Sequence, residues 1–290
     1  MFQADQILVR IPSSRLPDNA RLILFSGRSV ILDGTELPGP ARAAALLAAV
    51  PVRTPDFRRI GFSGSQCFAA AELEPVLPDP LPGGLTAVPL RAAMAQSAAD
   101  AREALCRAKK ILSWLDLHRF CGRCRTELQD SETDSALFCP VCGARYFPQL
   151  APAVIVAVTR NEGREILLAH NRNFEGNVHS LIAGFVEAGE TVEQAVEREV
   201  LEETSIRVTN IRYLRSQPWP FPNSLMLAFR AEYLSGTAVP DGSELDSLGW
   251  FRPDALPPLP RQGSVAAAVI RDWCDSLRNP PFQCRTTLSQ

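Results

Sequence analysis

The spacing of apolar residues changes along the chain, and the first 88 residues show a pattern of short strands. The apolar runs at 21–25 and 29–32 flank the turn residues Ser-Gly-Arg and predict a β-hairpin. Residues 40–50 are rich in Ala and Leu and predict a short helix. Residues 78–89, with four prolines and two glycines, predict a linker. We therefore expect a β-rich N-terminal domain.

From Leu90 onward, apolar residues recur at spacings of three and four, which predicts one long amphipathic helix ending just before Phe120. The positions that form this apolar face are Met94, Ala98, Ala101, Leu105, Ala108, Leu112 and Leu115. Beyond residue 148 the pattern predicts strands at 151–159, 166–171, 207–216, 225–233 and 248–251, and helices at 191–204 and 264–277. This mixture predicts a layered α/β or α+β domain.

These patterns divide the chain into four parts: residues 1–118, a cysteine module at 119–148, a mixed domain at 149–278 and a tail at 279–290. The apolar fraction of 46% and the charged fraction of 21% are ordinary for a globular protein. The net charge of -2 excludes the strongly basic footprint of a general nucleic-acid binder. The first residues lack a signal-peptide pattern, and the longest apolar run, at about 150–159, is too short to span a bilayer. The paired spacing of four cysteines suggests a metal in a reducing compartment, so we expect a cytoplasmic protein.

Four of the eight cysteines form two tight pairs, Cys121 with Cys124 and Cys139 with Cys142, fourteen residues apart. Two residues between the members of a pair allow both thiolates to face one ion. Four thiolates close a tetrahedral zinc site and leave no open position for substrate, which is typical of a structural site. Redox-active thiols are the alternative interpretation.

A carboxylate-rich helix carries the second candidate for chemistry. Residues 191–194, Thr-Val-Glu-Gln, form a capping box and predict a helix start. Glu199, Glu202 and Glu203 then lie on one helix face, where their charges repel unless a cation compensates them. Hard oxygen ligands of this kind suit Mg²⁺ or Mn²⁺. A solvated acidic helix face is the alternative interpretation.

Three alternating prolines mark a stiff segment at residues 216–224, Ser-Gln-Pro-Trp-Pro-Phe-Pro-Asn-Ser. Proline fixes φ and removes a backbone donor, so Trp219 and Phe221 are presented with little conformational entropy to lose. Taken alone, the segment also fits a proline-rich turn that carries core aromatics.

The segment from Gly184 to Ile206 resembles the Nudix box at every fixed position except the last glycine, which is Ser205 here. The resemblance implies a mixed-sheet α/β/α sandwich in which Glu199, Glu202 and Glu203 bind the catalytic metal, Mg²⁺ or Mn²⁺. It also implies that Arg198 and Glu190 hold the loop geometry, and Glu187 is a weaker ligand candidate. A serine at the glycine position should adopt a left-handed backbone at a cost of about 1 kcal/mol.

The proline segment and the preceding cysteine pairs resemble the NADH pyrophosphatase subfamily of Nudix hydrolases. This resemblance covers residues 120–273 and implies hydrolysis of NAD(H) to AMP and nicotinamide mononucleotide. Some members also remove NAD caps from RNA, and members typically act as homodimers. Glu244 matches a further metal ligand of the family. The residues implied to bind the dinucleotide are Phe185, Ser216, Gln217, Trp219, Phe221, Ser224, Met226 and Ala266.

Tyr213 and Trp250 are predicted to be core residues. Two other functions remain open at this point. One is a Nudix hydrolase for another nucleoside diphosphate derivative. The other is a zinc-ribbon RNA-binding protein with an impaired Nudix domain, in which the arginines near the cysteines would bind RNA. These arginines are Arg119, Arg123, Arg125 and Arg145.

Overall fold

The fold is described from a computed structural model, which covers residues 1–53, 56–174 and 176–278. The predicted tail at 279–290 therefore lies outside the described residues. The chain divides into two compact units, Met1–Leu150 with Pro220–Asn223, and Ala151–Trp219 with the rest of the chain from Ser224. Among the described residues, no helix is both long and apolar enough to cross a membrane.

The first unit contains a six-stranded sheet in the order β1-β4-β5-β2-β3-β6. Its strands are β1 (Phe2–Pro12), β2 (Arg21–Ser26), β3 (Ser29–Leu32), β4 (Asp56–Ser63), β5 (Gln66–Glu72) and β6 (Thr86–Pro89). β2 and β5 are parallel, and the other neighbours are antiparallel. Helix α1 (Pro40–Ala49) begins with proline at its first position and buries Ala43 and Leu46 against the sheet. The predicted hairpin and short helix are confirmed.

Two expectations for the first unit are wrong. The proline-rich residues 78–89 are not only a linker, because β6 pairs with β3 and places Val88 opposite Val30. The long helix is two helices, α2 (Leu90–Gln96) and α3 (Ala99–Leu117). The break lies at Ser97, whose backbone is extended and whose hydroxyl donates to the Ala93 carbonyl at 2.7 Å. A serine side chain competes with the backbone for hydrogen bonds, and the spacing of apolar residues alone cannot predict the helix break that results.

The end of the first unit is a small three-stranded sheet formed by β7 (Gln129–Asp130), β8 (Leu137–Phe138) and β9 (Arg145–Tyr146). Asp130 accepts hydrogen bonds from Arg10 at 2.5 Å and from Arg58 at 2.8 Å. These guanidiniums hold the pKa of the half-buried Asp130 carboxyl below its usual value, although burial alone would raise it.

The second unit is a mixed sheet between two helices, and it confirms the predicted α/β/α fold. Its strands are β10 (Ala151–Arg160), β11 (Glu165–Asn171), β12 (Ile182–Phe185), β13 (Ile206–Trp219), β14 (Ser224–Gly236) and β15 (Leu245–Phe251). The order is β13-β14-β10-β11-β15, with β12 also paired to β10. β10 and β14 are parallel, whereas the other pairs are antiparallel.

Helices α4 (Val192–Thr204) and α5 (Val265–Arg278) cover opposite faces of this sheet. Val154, Val156 and Val158 face α4, while Ile155 and Ala157 face α5. A strand covered on both faces is apolar at every position, which explains the unbroken apolar run of β10. Along each strand, side chains alternate between the face covered by α4 and the face covered by α5. This alternation decides which residues can lie near the candidate site.

Helix α4 ends at Ser205, whose backbone is left-handed with φ 59° and ψ 17°, as the sequence predicted. Its amide donates to the Leu201 carbonyl at 2.9 Å, so the strained residue completes the last helical turn. Only glycine adopts this backbone without a steric penalty from Cβ.

We predict that Ser205→Gly stabilises the protein by about 1 kcal/mol, because it removes the left-handed strain. The measurement is the midpoint of urea unfolding of the full chain. Gly176→Ser is the matched control, since Gly176 has φ 71° and open space around its Cβ position. It should lower the midpoint by a similar amount, and an unchanged or lower midpoint for Ser205→Gly would contradict the prediction.

Candidate active site and zinc centre

The loop between β12 and α4 is joined to the helix by a capping box. Thr191 Oγ1 accepts from the Gln194 amide at 3.2 Å, and Gln194 Oε1 accepts from the Thr191 amide at 2.9 Å. These two bonds satisfy backbone donors that would otherwise lack partners at the helix start. The helix start predicted at Thr191 is confirmed.

Arg198 connects the loop, the helix and strand β12 through one guanidinium. It donates to both carboxylate oxygens of Glu190, at 2.8 and 2.9 Å, as the sequence predicted. It also donates to the Phe185 carbonyl at 2.8 Å, to Glu199 at 2.9 Å and to Glu202 at 3.1 Å. The hydrogen bonds from Arg198 lower the pKa of Glu190 to about 2, so this pair stays charged at any working pH.

Gly184 is required by the position of Glu199. A Cβ at residue 184 would lie 1.9 Å from the Glu199 carboxylate carbon, which is far inside contact distance. Glu199 therefore rests directly against the backbone of β12, and its side chain is only 12% exposed. The first glycine of the box leaves room for a carboxylate, and its own φ is not in the left-handed region.

Glu203 is a buried carboxylate, 7% exposed, on the same helix face as Glu199. Within the described residues it has neither a hydrogen bond nor an ion pair through its carboxylate. Burial, together with the negative charges of Glu199, Glu244, Asp241 and Glu202, raises the pKa of Glu203 to about 8. Burial likewise raises the pKa of Glu199, although Arg198 opposes this. Glu202 differs in being 61% exposed.

The turn before β15 brings Glu244 towards Glu203, and Asp241 shapes this turn. The Asp241 amide donates to the Glu203 carbonyl at 3.1 Å. The Asp241 carboxylate accepts from the Ser243 hydroxyl and from the amides of Glu244, at 3.0 Å, and Leu245, at 2.8 Å. These bonds hold the pKa of Asp241 well below its usual range. Asp241 was not predicted from the sequence, although an Asp before Gly-Ser is a common turn signal.

The donor set fits a hard divalent cation. A buried carboxylate without a partner, beside further carboxylates, is unstable unless a cation compensates the charge. All the donors are carboxylate oxygens, which Mg²⁺ and Mn²⁺ prefer. In the described part of the chain, however, the four paired cysteines are the only group of three or more His, Cys, Asp or Glu residues whose ligand atoms all lie within 4.8 Å of one another. The four candidate glutamates are thus near one another, but their carboxylate oxygens do not all surround a single point.

The structure places most of the predicted dinucleotide-binding residues on the α5 face of the sheet. Phe185 is 49% exposed at the end of β12, whereas Ser224 is buried at the start of β14. Met226 packs with Ala266 of α5. Ser216 is exposed, and Trp219 is half-buried opposite Ser224.

The structure adds detail to the predictions for Gln217 and Phe221 and contradicts the prediction for Tyr213. The Gln217 amide group is engaged at the start of α5, where it accepts from the Val265 amide at 2.6 Å and donates to the Gly263 carbonyl at 2.8 Å. Phe221 belongs to the first unit, where the Arg91 guanidinium lies 4.7 Å from its ring centre. Tyr213 is not a core residue, because it is 57% exposed.

The reason for the Tyr213 error is that β13 is an edge strand, on which the Tyr213 ring contacts the Phe229 ring, with ring centres 5.8 Å apart, but stays exposed. Trp250 does pack against the core, as predicted. Period-two alternation predicts which face a residue lies on, but not whether another element covers that face.

The two cysteine pairs converge on one point, as their spacing predicted. The Sγ atoms of Cys121 and Cys142 are 3.6 Å apart, and those of Cys124 and Cys139 are 3.3 Å apart. A disulfide needs about 2.05 Å, whereas tetrahedral zinc with bonds of about 2.3 Å separates its sulfurs by about 3.8 Å. The Tyr146 hydroxyl lies 3.3 Å from Cys121 Sγ and lowers the pKa of that thiol to about 6. Burial and the neighbouring cysteines raise the pKa of Cys142 to about 11, so it is the geometry of the four sulfurs that fits a four-cysteine zinc site.

Comparison with known proteins agrees with this geometry. Residues 149–274 match the NUDIX domain, and residues 116–147 match the NADH pyrophosphatase zinc ribbon domain. The NAD-capped RNA hydrolase NudC of Pectobacterium carotovorum is 50% identical over 166 residues, which cover 57% of this chain and 63% of that protein. The protein of the same name from Yersinia pestis is 51% identical over the same shares. The aligned region thus spans less than two thirds of these relatives.

Among solved structures, a NUDIX hydrolase from Nitrosomonas europaea is 26% identical, with a TM-score of 0.46 over 56% of this chain and 93% of that one. The two domain matches coincide with the carboxylate segment and with the four-cysteine cluster. This chain therefore carries a NUDIX domain at residues 149–274, preceded by an NADH pyrophosphatase zinc ribbon domain at residues 116–147.

Proposed function

We propose that this chain hydrolyses the pyrophosphate bond of NAD(H), yielding AMP and nicotinamide mononucleotide, and that it also removes NAD caps from RNA. The observation that carries the proposal is the buried, unpaired carboxylate of Glu203 beside Glu199 and Glu244. The proline segment at 216–224 and the names of the relatives support the choice of NAD over other nucleoside diphosphate derivatives.

Glu199, Glu202, Glu203 and Glu244 would hold one or more divalent ions, Mg²⁺ or Mn²⁺. Such an ion, when bound, neutralises the charge of the pyrophosphate and makes water more acidic. Water then attacks one phosphorus in line with the bridging oxygen, the bridging bond breaks, and a carboxylate of the cluster accepts the proton. Arg198 and Glu190 hold the loop and Glu199 in position, so that the carboxylates are preorganised.

Recognition of the dinucleotide would lie on the α5 face. The exposed ring of Phe185 is free to stack on a base, and the half-buried Met226 lies on the same face of the sheet, where Ser224 and Ala266 are buried. Gln217 would act indirectly, since its amide holds the start of α5 next to Ala266. Trp219 and Phe221 remain predicted contacts.

The zinc ribbon would be structural, because four thiolates leave no position for substrate. A reducing cytoplasm, where thiols persist, suits such a site and is the location we propose. We also retain the homodimer, the weaker ligand Glu187, and the division at residues 118, 148 and 278 as predictions.

For the hydrolysis we predict that purified protein with NADH and Mg²⁺ or Mn²⁺ releases AMP and the reduced mononucleotide. Glu202→Gln/Glu203→Gln should lower kcat by on the order of 10²-fold or more, because it removes charged ligands and a proton acceptor. Chromatography of the products measures both. Glu193→Gln, in the exposed first turn of α4, is the control and should keep full activity. Absence of product from a folded, zinc-loaded wild type would favour the RNA-binding alternative.

A second prediction concerns stability without added divalent metal. The folded-state pKa of Glu203, about 8, lies above its ordinary value of 4.5. Its ionisation therefore destabilises the fold, and stability falls as the pH rises from about 4.5 through about 8. Glu203→Gln should have a higher Tm than the wild type, by a margin that widens between acidic and alkaline pH. Mg²⁺ should raise the Tm of the wild type more than that of the variant. A margin independent of pH would contradict this.

A third prediction concerns zinc. The wild type should contain one zinc ion per chain by elemental analysis, and Cys139→Ala should contain none, because three thiolates hold the ion far more weakly. Loss of zinc should also lower the unfolding temperature, since metal binding contributes to folding free energy. Cys106→Ala removes a buried thiol outside the cluster and should keep the zinc. Zinc retained in Cys139→Ala would rule out the four-cysteine site.

A further inference from the structure

Strands β13 and β14 carry arginines on the face that α5 covers. Arg215 is registered opposite Ala228, and Arg212 opposite Arg230. Residues registered opposite each other point to the same face, and Ala228 packs against α5. The ion pair between Arg215 and Asp272 of α5 shows the same orientation. Three guanidiniums therefore line one side of the sheet beside α5.

Arg212 and Arg230 form a cross-strand pair of like charges, an arrangement that destabilises a sheet by itself. In the described part of the chain, neither guanidinium has a hydrogen bond or an ion pair. Arg230 is half-buried and packs over Gly163, where a Cβ would lie 2.8 Å from its Nη2 atom. Arg230 is thus held against the turn at Gly163, and no carboxylate among the described residues compensates either guanidinium.

The neighbouring carboxylates are already engaged. Asp272 pairs with Arg215, and Glu232 accepts from Asn210 at 2.9 Å. Arg230 lines a cleft of about 490 Å³ together with Glu232, Tyr233 and the turn at residues 159–163, whose Glu162 accepts from Arg164; Arg212 is not part of this lining. An anion between the two free guanidiniums would turn their repulsion into attraction, and the planar guanidinium fork suits phosphate oxygens.

The arginine pair is continuous with the proposed dinucleotide surface. Gln217 is registered opposite Met226, and Arg212 opposite Arg230, on the same face and the same two strands. Arg230 follows Met226 by four positions along β14, which is about 13 Å. That distance is roughly the rise of four stacked nucleotides. Glu232 follows Arg230 on this face, and its charge would repel phosphate further along.

We propose that Arg212 and Arg230 form a phosphate-binding site for the RNA chain of an NAD-capped RNA, a few nucleotides beyond the cap. This inference rests on the proposed function, since it assumes that the cap occupies the surface around Phe185, Met226 and Ala266. Arg215 contributes less, because Asp272 neutralises it. The site distinguishes RNA of sufficient length from free NAD(H), which ends before the arginines.

The test compares Arg212→Gln/Arg230→Gln with the wild type on NADH and on an NAD-capped RNA of about twelve nucleotides, long enough to pass the arginines. We expect the ratio of kcat/KM for capped RNA to that for NADH to fall about tenfold, through KM, since two phosphate contacts are lost. The slope of log kcat/KM for capped RNA against log salt should become shallower by about 1.4, because each contact contributes about 0.7 on a single strand.

The control, Arg252→Gln/Arg278→Gln, removes the same charge from two exposed arginines paired with nearby carboxylates. It should leave both the ratio and the slope unchanged. An equal loss in the control, or an unchanged ratio in Arg212→Gln/Arg230→Gln, would overturn the site.

A second readout is independent of hydrolysis. Fluorescence anisotropy with an uncapped single-stranded RNA of the same length should show weaker binding by Arg212→Gln/Arg230→Gln than by the control. Weakened binding without any NADH hydrolysis by the wild type would refute the proposed function and leave the RNA site standing. Equal binding by both variants would refute the site even if NADH is hydrolysed.

Discussion

The hydrogen bonds of Arg198 are the interaction on which the candidate site depends. One guanidinium bonds to Glu190 in the loop, to Glu199 and Glu202 on the helix, and to the carbonyl of Phe185 on β12. It therefore fixes the loop and the helix relative to the strand that presents Phe185. Lysine could not replace it, because an ammonium group lacks the planar set of donors that these acceptors require.

The same segment concentrates features that do not favour folding. Glu203 is buried among negative charges, and Ser205 adopts a backbone that suits glycine. Strain and unpaired charge persist at sites where the surrounding structure holds them in place and function uses them. For Glu203 the proposed use is metal binding, since a carboxylate without a protein partner is available to a cation. The strain at Ser205 lies beside the cluster and has no corresponding use.

The two units contribute different chemistry. The ligand atoms of the four thiols of the ribbon all lie within 4.8 Å of one another. The glutamates of the NUDIX domain lie near one another without closing around a point. A closed soft-ligand site suits a permanent structural ion, whereas an open hard-ligand site suits an ion that must also contact substrate. The arginine pair on β13 and β14 adds a proposed anion site to the same domain. It lies on the same two strands as Gln217 and Met226 of the proposed cap surface.

Local patterns in the sequence determined much of this protein. The cysteine spacing, the capping box at Thr191, the Arg198–Glu190 pair and the left-handed Ser205 all depend on residues close together in the chain, so the sequence alone predicts them. The strands and helices of the mixed domain were also predictable, because burial on two faces makes apolar runs long.

Only the tertiary structure decided which distant residues meet. The break at Ser97, the pairing of β6, the exposure of Tyr213, the role of Asp241 beside Glu203 and the register that sets Arg212 opposite Arg230 depend on strand order and on which faces are covered. These are long-range properties, which local spacing cannot predict. The alternation of residues in a strand defines its two faces, but not which strands pair with it or which elements cover each face.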